Sequence, residues 1–459
     1  MRHLIVLAKP PLRGRAKSRL ASGVGEGRAA RLARAMLKDT YRSVYGVADE
    51  DGHTKARIAL TDTLSSYPSL HPLSDTLQQG TGDLGQRMAR LAAEAMKAEE
   101  VDQVLLLGTD SPGLPPEHVR TALGLLEHHD IVLGPVDDGG FWCLGLRASA
   151  TPVHDPGWLN GLDWESGATA AMVTARARSH GLSVTLAPPW FDIDHAEDLP
   201  RLKQLLHREP TRSPATLHEL ESCGEPLSVV IANLDEGVRL DDCLDNLASQ
   251  AGPLEVIVAD GGSADGSALR AATRPGVHIC MTERGRGRQL AAGTKMSTGE
   301  RLLFLHVDVR LPPNGTQLIH AALDKPQVHA GAFVTRTQAE PGLPNFAGPL
   351  LRLADLRSRF TRHPYGDQAL FMTREAYAAS GGFRELPILE DYDLSRRLAT
   401  RMPIARIKTP VTVSGRRMQQ HPLRTALLLR LIPPLYRMGV NPARLARFYR
   451  PVADPSSER

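Results

Sequence analysis

Leu227-Ser228-Val229-Val230-Ile231-Ala232-Asn233-Leu234-Asp235-Glu236 and, further on, Val256-Ile257-Val258-Ala259-Asp260-Gly261-Gly262-Ser263-Ala264-Asp265-Gly266-Ser267 are two apolar runs that each end in carboxylates. Short apolar runs bounded by Gly and Asp read as strands buried on both faces. The intervening Leu240–Ser249 has helical spacing, so the unit is strand, helix, strand, and the two strands are expected to be parallel. In open α/β sheets ligands sit beyond the carboxyl ends of the strands. Asp235, Glu236 and Asp260 are therefore the first candidates for a binding role, although each segment taken alone is equally compatible with an Asx turn.

The same grammar extends in both directions. Downstream it predicts a helix over Arg288–Met296 and a strand over Leu302–His306. In the first half it predicts strands at Leu4–Ala8, Arg57–Thr61, Val104–Gly108, Ile131–Leu133 and Ser183–Leu186, with helices at Glu26–Tyr45, Leu84–Ala98, Pro116–Glu127 and Ala168–Ser179. His207-Arg208-Glu209-Pro210-Thr211-Arg212-Ser213-Pro214 has neither period and is rich in proline and charge, so it reads as a linker. The expected organisation is an α/β domain over 1–206, a linker over 207–225 and a second α/β domain over 226–459. Each sheet should be rich in parallel pairs and covered on both faces. No fixed-period repeat relates the two halves.

A chain of 459 residues is long enough for two such domains, and 42% hydrophobic with 23% charged residues is ordinary globular composition. The net charge of +4 conceals 24 Lys/Arg against 29 Asp/Glu in residues 1–225, and 31 against 22 beyond them. Much of the second excess lies from Arg396 onward, where 14 basic residues meet 2 acidic ones. Such a tail suits phosphates or an anionic lipid surface, and is also compatible with a solvated face. Cys143, Cys223, Cys243 and Cys280 are too scattered for a zinc site or a disulfide framework, which points to a reducing cytoplasm. No run approaches a transmembrane span, so membrane contact should be peripheral at most. The sequence assigns no oligomeric state.

Lys9-Pro10-Pro11-Leu12-Arg13-Gly14-Arg15-Ala16-Lys17-Ser18-Arg19 follows the first strand directly. Its cations and Gly14 suit a polyphosphate, with Lys9, Arg13, Lys17 and Arg19 the donors, but the Gly-Lys-Ser/Thr ending of a Walker loop is absent. Asp110, in Gly108-Thr109-Asp110-Ser111-Pro112, sits at a strand tip where a hard cation could be held with phosphates, or where it could cap a turn. Asp137-Asp138-Gly139-Gly140 and Phe191-Asp192-Ile193-Asp194-His195-Ala196-Glu197-Asp198-Leu199 supply further carboxylates.

In the second half, Glu283-Arg284-Gly285-Arg286-Gly287-Arg288-Gln289 is a basic entry to a helix, suited to phosphate. Its lack of aromatics argues against nucleic acid. His306 and Asp308 lie two apart at a strand end, where alternation would place them on one face. Glu390-Asp391 could deprotonate an acceptor hydroxyl, or favour a helix dipole.

In the first half, Ala8-Lys9-Pro10, Gln79-Gly80-Thr81-Gly82-Asp83-Leu84-Gly85-Gln86-Arg87-Met88, Gly108-Thr109-Asp110-Ser111-Pro112, Gly134 to Phe141 and Asp192 to Leu199 resemble an uncharacterised nucleotidyltransferase-like family related to 2-phospholactate guanylyltransferase. The resemblance spans about residues 1–205. It implies a GT-A-like, Rossmann-like fold, an NTP and a sugar phosphate as ligands, Asp83 at the nucleotide, and Asp110 and Asp194 on a divalent metal. Ser18 replaces an expected Thr, and His195-Ala196 replaces the usual Thr-Pro.

Residues 226–450 resemble the family-2 glycosyltransferases, and within them the bacterial subgroup associated with arsenosugar biosynthesis. The match runs through Asp260-Gly261-Gly262-Ser263, Arg284-Gly285-Arg286-Gly287-Arg288-Gln289, Leu305-His306-Val307-Asp308, Gly366-Asp367-Gln368-Ala369, Glu390-Asp391 and Ser414-Gly415-Arg416-Arg417. It implies two tandem nucleotide-diphospho-sugar transferase domains. The second would be inverting and would use Mg²⁺ or Mn²⁺. Asp235, Glu236 and Asp260 would serve the nucleoside, and Arg286, Arg288, Arg416 and Arg417 the diphosphate. Asp308 with His306 would hold the metal, Asp367 and Gln368 would lie on the acceptor side, and Asp391 would be the base with Glu390 beside it. Asp235 and Ala232 stand where relatives have Asn and Pro. The expected partners are a nucleotide sugar and a small-molecule acceptor. Two other readings stay open: catalysis by the second domain alone, or a non-catalytic scaffold that binds nucleotide sugars or a membrane surface.

Overall fold

The computed structural model describes the whole chain except residues 64–66, 68–75, 98–99, 151–154, 156, 165, 223, 341–354 and 449–459, and the side chains of residues 51, 417 and 429. It divides into two compact units, Met1–Ser222 and Cys223–Arg459.

The first unit contains β1 (Arg2–Ala8), β2 (Thr54–Leu60), β3 (Thr76–Gln78), β4 (Gln103–Leu107), β5 (Ile131–Pro135), β6 (Phe141–Arg147) and β7 (Val184–Leu186). They form one sheet in the order β3-β2-β1-β4-β6-β5-β7. β6 runs antiparallel to both its neighbours, and the other pairs are parallel. Alternation along β1 sends Leu4, Val6 and Ala8 into the apolar cluster on one face and Ile5 into that on the other, as a sheet covered on both sides requires.

The second unit contains β8 (Leu227–Asn233), β9 (Leu254–Asp260), β10 (Val277–Met281), β11 (Arg301–Leu305), β12 (Val309–Arg310), β13 (Ala330–Gln338), β14 (Leu370–Thr373) and β15 (Ile404–Ser414). Their order is β10-β9-β8-β11-β14-β13-β15-β12. With the short β12 set aside, this repeats the first sheet strand for strand. Here β14 is the antiparallel counterpart of β6. The repetition is of topology, without a repeat in sequence.

The expected strands and helices are present, with shifted ends. The helix expected over Leu84–Ala98 is described over Leu84–Ala95, and Ala98 lies outside the described residues. β3, β6, β10 and β12–β15 add to the reading. β14 is only four residues long, and β13 opens on Ala-Gly-Ala, so neither carries a strong apolar run. β15 alternates along its length and was legible by period.

The stretch 207–225, expected to be a linker, instead holds a helix over Pro214–Glu221 that belongs to the first unit. Its start is held by Asp39, a carboxylate only 3% exposed, on the long helix Glu26–Asp51. Asp39 accepts hydrogen bonds from Thr216 N (2.8 Å), Thr216 Oγ1 (2.8 Å) and Ala215 N (3.2 Å). Local composition marked a break, and a buried long-range cap overrode it.

Asp39→Ala strands those donors in a dry site. It is expected to lower stability by about 3 kcal/mol in denaturant unfolding and to make the chain cleavable near residues 209–221 under limited proteolysis.

Candidate functional site

In the first unit four loops meet at the carboxyl edge of the sheet. The loop after β1 ends at Lys17, whose left-handed backbone (φ 43°) precedes the helix Ser18–Val24. The Lys17 side chain is 9% exposed, and its ammonium lies 2.7 Å from Asp110 Oδ1 and 3.9 Å from Asp194 Oδ1. It also donates to the Ile193 carbonyl at 2.6 Å. Arg19 reaches Asp194 at 3.0 Å. Ile193 N donates to the Asp110 carbonyl at 2.8 Å, so the two loops are tied through backbone as well as through Lys17. Desolvation raises the Asp110 carboxyl, but Lys17, with Lys9 and Thr109, holds the group below its usual range.

The sequence reading brought Asp110 and Asp194 together, and the structure places both on Lys17. It adds Asp138, from the β5–β6 turn, and Asp192. Oxygens of Asp138, Asp192 and Asp194 lie within 4.8 Å of one another, the one such group of metal-ligand type among the described residues. Desolvation and the neighbouring Asp138 and Asp194 push Asp192 up to about 6. Both residues stood in acidic motifs, but nothing local indicated that the hairpin turn would fold against the 190–194 loop. A parallel bridge between Val136 and Trp190 joins them. The substituted His195-Ala196 pair still makes a tight turn, because Asp198 accepts from Asp194 N (3.0 Å) and His195 N (2.7 Å).

Other first-unit assignments change. Asp83 caps the helix Leu84–Ala95, accepting from Gln86 N at 2.9 Å, while Gln86 Oε1 accepts from Asp83 N at 3.1 Å. One oxygen of its exposed carboxylate is used by the helix start. Arg13 is paired with Glu26 at 3.3 Å beside Gly14, whose φ is 70°. Lys9 lies close enough to act electrostatically on Asp110.

In the second unit Asp260 is fully buried. Its carboxylate accepts from Asn233 Nδ2 (2.7 Å), Gly262 N (3.0 Å), and both N (2.9 Å) and Oγ (2.5 Å) of Ser263. It shapes the Gly261-Gly262-Ser263 loop and presents no free oxygen to a nucleoside, contrary to the direct contact expected. Asp235 is the exposed acid of the pair. It has a left-handed backbone (φ 52°), accepts from Ala264 N at 2.7 Å and lies 4.0 Å from Arg284. Gln289 is buried and donates to Asn233 O (2.7 Å) and Ala259 O (2.9 Å), clamping the ends of β8 and β9.

His306 and Asp308 are not on a strand. β11 ends at Leu305, and Val309 N donates to the His306 carbonyl at 3.1 Å, so the two side chains project from a turn and not by strand alternation. The turn carries His306 to Gly366. A Cβ on Gly366 would stand 2.0 Å from His306 Nε2 and 2.7 Å from Asp391 Oδ2, so ring, backbone and carboxylate converge there. Gly366 N donates to Asp391 Oδ2, and Tyr392 N to Asp391 Oδ1 at 2.6 Å. Leu389, with φ 66°, opens the helix Glu390–Ala399 and sets both acids in its first turn.

Asp367 completes this cluster. Desolvation raises its carboxyl, Arg357 works against that, and Asp391 and Asp308 add to the rise. Its Oδ1 is buried with no hydrogen-bond partner among the described residues. Arg357, missed in the sequence, lies 3.8 Å from Asp367 and stacks 4.2 Å from the Tyr365 ring centroid. Glu390 is 5% exposed and pairs with Arg286 at 3.2 Å.

Two expected ligand contacts are corrected here. Gln368 is 1% exposed and donates to Phe333 O (3.0 Å) and Ser358 O (3.3 Å), so it anchors its turn instead of facing an acceptor. Arg288, expected at the diphosphate, pairs with Glu283 and with Glu385 (2.8 Å). Arg416 pairs with Glu236 at 3.1 Å, and the Arg417 side chain lies outside the described residues.

Comparison with known proteins agrees with this division. Residues 43–166 match a family described as uncharacterized protein conserved in bacteria (DUF2064), and residues 228–378 match glycosyl transferase family 2. No curated protein matches. Among solved structures, a protein described as a nucleotide-diphospho-sugar transferase from Desulfovibrio desulfuricans G20 is 27% identical, with 48% of this chain and 93% of that one covered and a TM-score of 0.43. The mannosyltransferase PcManGT from Pyrobaculum calidifontis, solved with GDP-Man and Mn²⁺, is 21% identical over 51% of this chain and 69% of its own, with a TM-score of 0.36. S. aureus TarS 1-349 with UDP-GlcNAc is 18% identical over 41% and 58%, with a TM-score of 0.34. The chain thus carries two mixed α/β sheets in tandem, a segment of the first unit matching DUF2064 and a segment of the second matching glycosyl transferase family 2.

Proposed function

We propose that the second unit transfers a sugar, with inversion, from a nucleotide sugar to a small acceptor, and that the first unit makes that donor from an NTP and a sugar phosphate. The observation that carries the reading is the convergence of Asp391 and His306 on Gly366, beside Asp367, which Asp391 and Asp308 influence electrostatically, in and beside the segment that matches family 2.

In the second unit Asp391 takes the proton of the acceptor as its oxygen or sulfur attacks the anomeric carbon. The bond from that carbon to the diphosphate breaks, and the nucleoside diphosphate leaves. The Gly366 N–H and the Tyr392 N–H hold the carboxylate in one orientation for this role. Asp235 and the loop shaped by Asp260 would meet the nucleoside, with Arg286 and Arg416 near the phosphates. The resemblance to the arsenosugar-associated subgroup makes an arsenic- or thiol-containing acceptor the first to assay. In the first unit, a sugar-phosphate oxygen attacks the α-phosphorus of the NTP and pyrophosphate leaves, with Lys17 and Arg19 placed to offset charge on the phosphates.

A divalent cation such as Mg²⁺ or Mn²⁺ fits the first unit's donor set, because Asp138, Asp192 and Asp194 are hard oxygen ligands close together, and burial with their mutual repulsion raises Asp192. In the second unit Asp308 and His306 form no such group with Asp367 among the described residues, and Asp308 acts on Asp367 electrostatically. When bound, the cation would supply positive charge to the phosphates.

Asp391→Asn is expected to cut glycosyl transfer by about 100-fold or more while leaving pyrophosphate release intact. Lys17→Ala should do the reverse. Product mass spectrometry and a pyrophosphate assay on the full chain separate the two, and unchanged transfer in Asp391→Asn would refute the assigned base. Gly366→Ala should lower transfer with the fold preserved by circular dichroism, because the new methyl occupies the place where His306 and Asp391 meet.

Asp192 titrates near 6 in the folded chain, above its ordinary 3.8, so it binds more protons folded than unfolded between those values. Its contribution is favourable below about pH 4 and is lost as pH rises through 6. Asp192→Asn is therefore expected to raise Tm at pH 7 but not at pH 4. Mg²⁺ or Mn²⁺ should raise Tm at pH 7 in the unsubstituted chain and not in the variant.

A further inference from the structure

The helix Pro422–Arg437 leaves an unusual face open. Leu423, Leu427, Leu431 and Met438 are 82%, 57%, 47% and 71% exposed. The leucines recur every fourth residue, so they line one stripe of the helix. Arg424 and Arg430 flank them, both exposed, and Arg424 Nη2 donates to the Phe448 carbonyl at 3.0 Å, bringing the 64% exposed Phe448 to the same end. The opposite side is used for packing, with Ile432 buried. Tyr436 donates to Asp393 at 2.8 Å and Arg437 to the Tyr392 hydroxyl at 2.5 Å, which fixes the helix to the Glu390–Ala399 helix.

Charge decides what such a face meets. From Leu394 to Ala453 the sequence holds 13 Lys/Arg and no Asp or Glu. A leucine stripe bordered by arginines, with Asp393 engaged by Tyr436 on the packed side, complements a surface that is apolar below and anionic above, which is the interface of an acidic bilayer. No helix among the described residues is long and apolar enough to cross a membrane, so the segment would lie on the surface. We propose that the Leu423–Leu427–Leu431 face of this helix, with Phe448 and Met438, docks the protein on an anionic membrane surface. The Tyr436 and Arg437 contacts join the docked helix to the helix that begins with Glu390 and Asp391, so docking sets how that edge of the second unit meets the bilayer. The proposal stands whether or not the reaction proposed above is correct.

The test is sedimentation of the full chain with vesicles of phosphatidylglycerol and phosphatidylcholine, and with phosphatidylcholine alone. Binding is expected to the anionic vesicles only, to weaken in high salt, and to fall at least tenfold in the double variant Leu427→Gln/Leu431→Gln. Arg430→Gln should lower it several-fold. Circular dichroism checks the fold of the double variant, and Leu423→Gln, at the most exposed position, replaces it if that fold is lost. The proposal is overturned if the unsubstituted chain stays in solution with anionic vesicles, or if the leucine variants sediment as well as it does. It is overturned equally if light scattering shows a dimer that the leucine variants convert to monomer, because a second copy of the chain then covers the face.

Discussion

Parallel strand pairing is the constraint on which both units rest. β2, β1 and β4 in the first sheet, and β9, β8 and β11 in the second, all point the same way, so every loop that follows them emerges at one edge. Residues far apart in the chain are thereby collected on a single rim, Lys17 with Asp110 in the first unit and Asp235 with the loop that Asp260 shapes in the second. The antiparallel strands β6 and β14 turn the chain within the sheet. In the first unit the hairpin that enters β6 carries Asp138 to the rim. In the second, the turn that enters β14 carries Gly366 and Asp367.

A rim built this way concentrates negative charge, and each unit handles the cost differently. In the first, the nearly buried Lys17 ammonium stands between Asp110 and Asp194 and supplies the counter-charge from within the chain. Burial raises Asp192 most, and the neighbouring Asp138 and Asp194 add to the rise. In the second unit, Arg286 offsets Glu390, and Arg357 offsets Asp367 only in part across 3.8 Å. The acids with least compensation are those most suited to a cation or to proton transfer, because an added positive charge or a proton relieves them most. This links the two candidate chemistries to one electrostatic origin.

Some acids at the strand tips hold loops in shape. Asp260 lies at a strand tip and in a glycine-rich motif, as a ligand-binding acid would, yet all its hydrogen bonds go to its own loop and to Asn233. Asp83 and Gln368 are likewise used by the backbone around them. A carboxylate or amide near backbone N–H and C=O groups gains more by pairing with them than by waiting for a ligand, and short-range sequence does not distinguish the two outcomes.

The sequence by itself determined the α/β class, the presence of two domains, the strands that open each sheet, and most of the residues at the candidate sites. Those features depend on apolar periodicity and on residues within one or two turns of each other. Tertiary structure alone decided the partners. It joined Asp138 to Asp192 and Asp194, brought Arg357 to Asp367, seated His306 and Asp391 around Gly366, and drew the Pro214–Glu221 helix onto Asp39. The physical reason is that these contacts, apart from the ten-residue step from Arg357 to Asp367, span tens of residues, and their energy appears only after the chain has closed between them.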